Sequence, residues 1–144
     1  MDDTGPLPLR TLALRGLLAI VATAAANYLL LAAVLRAEVV EPFGALSTSP
    51  VVALSVLGAL AATAVYGAIT RAVTDPDWLF VRVALVVLVL SFLPDLAVLR
   101  WDPTATVGAV AVLMAMHVLG AVICVLVLTD WWSPIERPDA TAAT

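Results

Sequence analysis

The sequence predicts an all-α membrane protein: an antiparallel four-helix transmembrane bundle with both termini in the cytoplasm. Residues 104–129 form a run of 26 residues without Asp, Glu, Lys or Arg. A helix of that length reaches about 39 Å, enough to cross a hydrocarbon core of about 30 Å. The whole chain is 63% hydrophobic and only 12% charged, whereas soluble domains carry about 25% charged residues. Lipid is therefore expected to be its main solvent.

Four spans are predicted within one transmembrane domain of 144 residues. They cover residues 13–35, 50–70, 77–99 and 104–129, with flexible tails at residues 1–9 and 133–144. All four Trp residues fall at the ends of these spans, as in the aromatic belts of membrane proteins. A cleaved signal peptide is the alternative for the first span, but the apolar run continues past Ala26 through Leu31. A retained span is therefore preferred.

Short polar residues followed by proline mark the starts of the later helices, because the polar side chain caps the first turn and proline fits the first helical position. The three pairs are Ser49-Pro50, Asp75-Pro76 and Asp102-Pro103. The loop at residues 36–49 is apolar enough to lie on the membrane surface. In the third span Pro94 removes a backbone donor and is expected to kink the helix.

The distribution of arginine predicts the orientation, because cytoplasmic loops carry an excess of basic residues. One predicted side carries Arg10, Arg15, Arg71, Arg82 and Arg137, whereas the other carries Arg36 and Arg100. This asymmetry places both termini in the cytoplasm. The chain is accordingly expected to be a multi-pass protein of the cell (plasma) membrane.

Composition argues against several classes of function. Eleven acidic residues against seven Arg leave a net charge of −4, and a nucleic-acid partner would require a basic patch. One His and one Cys cannot build a bis-His haem site or a Cys/His metal site within one chain. The sequence has no nucleophile–base motif, no paired carboxylates and no phosphate loop. We therefore expect no enzyme, no catalytic residue, no metal and no cofactor.

A candidate intramembrane polar site comprises Asp95, His117, Asn27, Ser91 and Thr63. An Asp at the centre of a span costs about 2.5–3.5 kcal/mol. Asp95, however, lies only about 7 Å inside Arg100 along the helix. Hydration from outside, or a pair with Arg100 or Arg36, is therefore preferred to a protonatable cavity site.

His117 lies deeper than Asp95, about 20 Å below the start of its predicted span. A lone His on a packed apolar face is more often a hydrogen-bonding structural residue than a ligand. By depth Thr63, Ser91 and Asn27 come nearest to it, while Asp95 lies about 10 Å higher. A direct bond between Asp95 and His117 is therefore not expected.

Three short motifs resemble a known family. They are the Ser-Phe-Leu-Pro stretch at residues 91–94, the Thr-containing turn at residues 102–106, and Ala115-Met116-His117 in the last span. Their order resembles a family of small, uncharacterised four-helix membrane proteins of prokaryotes, a domain of unknown function, over residues 15–128. The resemblance implies four spans and a shared role for His117, and it implies no activity.

Three functional hypotheses follow. The first is a non-enzymatic membrane protein for helix packing or assembly, because small residues four apart, such as Gly58 and Ala62, let helices approach closely. Its partners would be the lipid bilayer and a second copy of the chain or another membrane protein. The second is a small solute or proton conduit or carrier, lined by Asp95, His117, Asn27 and Ser91. The third is a membrane enzyme, or a lipid or quinone binder.

Overall fold

The computed structural model describes residues 7–41 and 43–129, which form four helices. Their bounds are α1 Leu9–Arg36, α2 Thr48–Ala72, α3 Pro76–Trp101 and α4 Val107–Leu128. All four are long and apolar enough to cross a membrane, which confirms the predicted all-helical membrane class. The antiparallel arrangement of the helices and the cytoplasmic location of both termini remain predictions. Most of the predicted tails, with Trp131, Trp132 and Arg137, lies outside the described residues.

The start of α3 follows the predicted capping chemistry. The side chain of Asp75 accepts a hydrogen bond from the backbone N–H of Trp78 at 3.4 Å, and Pro76 occupies the first helical position. α2 instead begins before its predicted Ser49-Pro50 pair, at Thr48, with Ser47 as the preceding residue. α3 runs without interruption across Pro94 as far as Trp101.

α4 begins three residues later than predicted, because Asp102 closes a turn and does not cap this helix. Its carboxylate accepts hydrogen bonds from the hydroxyl and the backbone N–H of Thr104, at 2.6 and 2.9 Å. Asp and Asn side chains commonly close such turns by binding the backbone two residues on. The hydroxyl and then the N–H of Thr104 lower the pKa of Asp102 below its ordinary value. Thr106 caps α4 and accepts from the N–H of Ala109 at 3.2 Å.

The loop between α1 and α2 turns into the bundle at Phe43 and Leu46, which differs from the expected position on the membrane surface. Both side chains are buried. They pack in one cluster with Leu31, Val51, Ala109, Leu113 and Met116, drawn from α1, α2 and α4. Large apolar side chains gain more from a packed interior than from a polar interface. This cluster, called here the loop plug, closes one end of the bundle.

α1 packs against α2 and α4, while α3 packs mainly against α4. Gly16 permits the close approach of α1 to α2. A Cβ atom there would lie 3.0 Å from Thr63 Oγ1 and 3.2 Å from Thr63 Cβ, with Thr63 Cγ2 closer still. α2 and α3 contact each other less than α1 contacts α2 or α3 contacts α4. Among helices that follow one another in the chain, α2 and α3 therefore pack least closely.

Where α2 and α3 do meet, Tyr66 joins them near their connecting segment. Its ring is 1% exposed and lies edge-on to Phe80, with ring centroids 5.1 Å apart. Its hydroxyl donates a hydrogen bond to the carboxylate of Asp77 at 2.6 Å. Aromatic contact and charge-assisted bond together anchor α3 to α2 at this end.

We expect Tyr66→Phe to lower the free energy of unfolding by about 1.5 kcal/mol, because a hydrogen bond to a charged group is lost while the ring remains. Unfolding of the purified protein in mixed micelles, followed by circular dichroism, measures the change. The matched control is Tyr28→Phe, since Tyr28 is 47% exposed on the outer surface of α1. Equal effects of the two substitutions would contradict the anchoring role.

Candidate functional site

A cavity of about 660 Å³ lies within the bundle and is lined by residues of all four helices. Most of its wall is aliphatic. Seven lining side chains carry a polar or titratable atom: Thr23, Asn27, Ser55, Ser91, Asp95, His117 and Cys124. Ligand pockets usually measure about 300–1,000 Å³ and combine an apolar wall with a few polar groups. The cavity has the size and composition of a small-molecule site.

The cavity opens sideways between α2 and α3. Leu54 on α2 and Val87 on α3 line it, yet they are 62% and 57% exposed on the outside of the bundle. Gly58 lies between them along the rim, and a Cβ atom built there meets no described atom within 4 Å. Gly58 and Val87 are near the middle of α2 and α3, whereas Leu54 lies one turn closer to the start of α2. In a membrane the opening would therefore face the hydrocarbon region.

Asp95 and His117 meet in this cavity, so the expectation that they would not touch is wrong. His117 Nδ1 lies 2.9 Å from Asp95 Oδ2 and 3.0 Å from the backbone oxygen of Leu113. Asp95 is 7% exposed. Within the part of the chain that the structure describes, it contacts His117 and not the predicted partners Arg36 and Arg100.

The direction of helical side chains explains why Asp95 and His117 touch although their predicted depths differ by about 10 Å. Every Cα–Cβ bond tilts towards the N-terminus of its helix. Asp95, near the end of α3, therefore points inward along the bundle, whereas His117 on α4 points back towards the α3–α4 loop. The ring of His117 reaches Leu113, one turn closer to that loop. The later start of α4 also brings His117 nearer the loop, to about 15 Å from the start of its helix.

Asn27 on α1 forms the second polar group of the cavity. It is 6% exposed, and its amide nitrogen donates to Ser55 Oγ at 2.9 Å. Ser55 in turn donates to the backbone oxygen of Val51 at 2.7 Å. Asn27 Oδ1 has no hydrogen-bond partner among the described residues. A buried acceptor without a partner is costly, which marks this oxygen as available to another molecule.

The remaining two candidate residues, Ser91 and Thr63, lie in different parts of the bundle. Ser91 lines the cavity, with its hydroxyl donating to the backbone oxygen of Leu88 at 2.7 Å. Thr63 lies elsewhere, on the α1–α2 contact beside Gly16, where its hydroxyl donates to the backbone oxygen of Ala59 at 2.8 Å. The structure thus brings four of the five predicted residues to one cavity and uses the fifth for packing.

Sequence reasoning left Thr23, Ser55 and Cys124 out of the candidate site. Thr23 Oγ1 and Cys124 Sγ lie 3.9 Å apart and line the cavity beside Asn27. The sequence spacing of Thr23 and Cys124 could have placed them in the site. Thr23 stands four residues before Asn27, and Cys124 stands seven after His117, so each pair shares one helix face.

The donor set does not resemble a metal centre. No three His, Cys, Asp or Glu side chains come close enough to hold an ion within residues 7–41 and 43–129.

Comparison with known proteins adds one match. The model of a protein family described as a family of unknown function, DUF6069, matches residues 8–131. No curated protein matches the chain, and no solved structure matches it.

Proposed function

We propose, from the premise that this chain belongs to the DUF6069 family of unknown function, that it binds one lipid-soluble molecule in the cavity between α2 and α3. The observation that carries the proposal is a cavity of about 660 Å³ in which Asp95 is buried against His117. A charged or titratable residue inside a span is expensive and usually marks a functional site.

The size of the cavity favours binding over packing as the role of this region. Protein interiors are packed as densely as organic crystals, and voids larger than a few water molecules are rare. Packing accounts for the α1–α2 contact at Gly16 and Thr63. It does not account for the polar residues that line the cavity together with Gly58. The predicted assembly role, with a second copy or another membrane protein as partner, remains a prediction for the outer faces.

The opening favours a ligand that arrives from the bilayer over a solute that passes through the bundle. Of the residues that line the opening, Gly58 and Val87 lie near the middle of α2 and α3. The loop plug, with Phe43 and Leu46 at its centre, packs apolar side chains at the end of the cavity nearest the α1–α2 loop, where Ala45 of that loop also lines it. A conduit lined by Asp95, His117, Asn27 and Ser91 would need a water path at that end.

The proposal is one of binding without catalysis. Ser91 Oγ and Ser55 Oγ each donate to a backbone carbonyl, and neither is bonded to His117 in the way that a nucleophile is bonded to its base. The proposed location is the plasma membrane, as the resemblance to prokaryotic proteins implies.

Photolabelling tests the proposal. The purified protein in phosphatidylcholine nanodiscs is exposed to a long-chain alcohol that carries a diazirine on its tail, and the labelled residues are mapped by mass spectrometry. We expect labels on cavity residues such as Met116, Leu88 and Asp95. We expect Gly58→Phe to remove most of them, because Gly58 lines the cavity and a Cβ atom there meets no described atom within 4 Å, which leaves room for a larger side chain to occupy ligand space.

The matched control is Leu57→Phe, one position away on the same helix, where the side chain is 59% exposed on the lipid-facing surface. This substitution should leave the cavity labels unchanged. Labels confined to outward-facing residues such as Leu14 and Leu29, at equal levels in all three proteins, would overturn the proposal.

A further inference from the structure

We propose that the cavity selects a cationic amphiphile whose head carries a primary or secondary ammonium group, held by Asp95 and Asn27. This inference rests on the proposed function and names the class of ligand for the same cavity. It is carried by the balance of hydrogen-bond donors and acceptors in the polar wall, and by the charge of that wall.

Most of the hydrogen-bond donors that line the cavity are already used, although the amide of Asn27 has a second hydrogen beyond the one that it donates to Ser55. Asn27 Nδ2 donates to Ser55, and the hydroxyls of Ser55 and Ser91 donate to backbone carbonyls. The hydroxyl of Thr23 is in contact with the thiol of Cys124. A ligand whose head needs several donors from the protein would find the serine hydroxyls occupied, and breaking their bonds would leave buried carbonyl oxygens unpaired.

The acceptors, in contrast, are available. Asn27 Oδ1 and Asp95 Oδ2 are both buried, and neither has a hydrogen-bond partner among the described residues. Asp95 Oδ2 lies within ion-pair distance of His117 Nδ1. The Nδ1 hydrogen, however, is directed at the oxygen of Leu113, which can only accept. Two acceptors on one cavity wall call for a ligand that brings at least two hydrogens.

His117 strengthens the same preference. The contact with Leu113 assigns a hydrogen to Nδ1, so Nε2 of the neutral ring carries a lone pair and is a third acceptor. The side chain of His117 is 39% exposed and lines the cavity. An ammonium group has up to three N–H donors and can satisfy several of these acceptors at once.

The negative charge of the Asp95 carboxylate favours a ligand with an ammonium head over one with a hydroxyl head. The cavity lining contains the carboxyl group of Asp95 and, among the described residues, no Arg or Lys. A carboxylate or phosphate head would face this acid without a cation to balance it. An ammonium head would instead form a charge-assisted bond, about twice as strong as a neutral one.

Asn27 and Asp95 also lie at similar depths. Asn27 stands nine residues before the end of α1, and Asp95 stands six before the end of α3, which places them about 14 and 9 Å from those ends. Both ends lie by the same pair of loops, since Val40 and Gly44 of the α1–α2 loop approach Gly108 and Asp102. Asn27 and Asp95 line the same cavity from two helices that, among the described residues, do not contact each other. A head group placed between them would have an acceptor on each side, while its tail extends along the apolar wall towards Gly58.

Competition for the photolabel tests this selectivity. Four ten-carbon amphiphiles with one tail and different heads are added to the labelled nanodisc system: decylamine, decyltrimethylammonium, decanol and decanoate. Phosphatidylcholine is the bilayer lipid because its choline head has no N–H donor. We expect decylamine to displace the label at a concentration about tenfold lower than decanol, from one charge-assisted bond. Decanoate should be the weakest competitor.

Asp95→Asn is the matched variant, because it removes the charge and keeps the shape. We expect it to abolish the tenfold advantage of decylamine while decanol still competes, which also shows that the variant remains folded. Decyltrimethylammonium separates charge from hydrogen bonding, and its competition should fall well below that of decylamine. Replacing part of the lipid by phosphatidylethanolamine asks whether a bilayer lipid is the source, and displacement of the label would show that it is.

Two results would overturn the inference. Equal competition by decanol, or by the quaternary compound, would mean that the ammonium hydrogens are not recognised, although cavity binding would stand. Selectivity for decylamine that persists in Asp95→Asn would likewise exclude Asp95 as its origin. If the cavity is not labelled at all, the proposed function fails together with this inference.

Discussion

His117→Leu is expected to destabilise the protein by about 1–3 kcal/mol, the cost of leaving a buried carboxyl group without the polar side chain beside it. Asp95 is 7% exposed, and His117 Nδ1 lies 2.9 Å from its Oδ2. Leucine has a similar volume, so the loss would come from the stranded carboxyl group and not from a new void. Unfolding in mixed micelles, followed by circular dichroism, measures it.

Asp95→Leu should behave very differently from His117→Leu. It removes the buried acid itself, and His117 retains its hydrogen bond to the oxygen of Leu113 at 3.0 Å. Replacing a buried ion pair by apolar residues is often neutral or stabilising by about 1–4 kcal/mol. The double variant Asp95→Leu/His117→Leu should therefore be about as stable as the natural protein, although it should lose any preference for decylamine.

This asymmetry separates a binding site from a structural pair. If the two residues serve only to hold α3 against α4, both single substitutions and the double substitution should destabilise the bundle by similar amounts. That result would favour the packing hypothesis over the proposed function. A stable double variant without ligand selectivity would show that the pair is retained for recognition.

Gly16→Ala is the second substitution with a large expected effect. The added methyl group would overlap Thr63, whose Oγ1 and Cβ lie 3.0 and 3.2 Å from the new atom. Thr63 cannot easily turn away, because it is branched at Cβ and its hydroxyl is bonded to Ala59 at 2.8 Å. Overpacking of this kind costs about 1–3 kcal/mol.

Gly58→Ala is the matched control for Gly16→Ala. Both positions are helical glycines, but a Cβ atom at residue 58 meets open space within the described part of the chain. Alanine is favoured over glycine in a helix interior by up to about 1 kcal/mol. We therefore expect Gly58→Ala to be neutral or stabilising in the same unfolding measurement.

A double-mutant cycle identifies Thr63 as the cause of the Gly16 effect. Thr63→Ala removes Oγ1 and Cγ2, so Gly16→Ala should cost less in that background, with a residual cost from Thr63 Cβ at 3.2 Å. Coupling between neighbouring residues is expected at about 0.5–3 kcal/mol. Additive effects would show that α1 and α2 do not approach each other at this pair.

The features that sequence determined are those that depend on local composition. Long apolar runs need a helix to satisfy every backbone N–H and C=O in lipid, so four helices could be predicted without knowing their arrangement. The start of α3 is likewise local: Asp75 caps the helix by accepting from the N–H of Trp78, and Pro76 occupies the first helical position. At Asp102 the same kind of pair closes a turn, because Thr104 offers two donors that compete for the carboxylate.

The features that only the tertiary structure decided depend on how each helix is rotated about its axis and which neighbours it has. Depth along a straight axis placed Asp95 and His117 about 10 Å apart, whereas their opposite side-chain tilts bring them into contact. The inward turn of Phe43 and Leu46 and the open space beside Gly58 also arise from packing between distant segments. Lipid is as apolar as most of these side chains, so hydrophobicity alone does not tell a helix which face to turn inward. That choice rests on shape and on a few polar contacts, and it created the cavity.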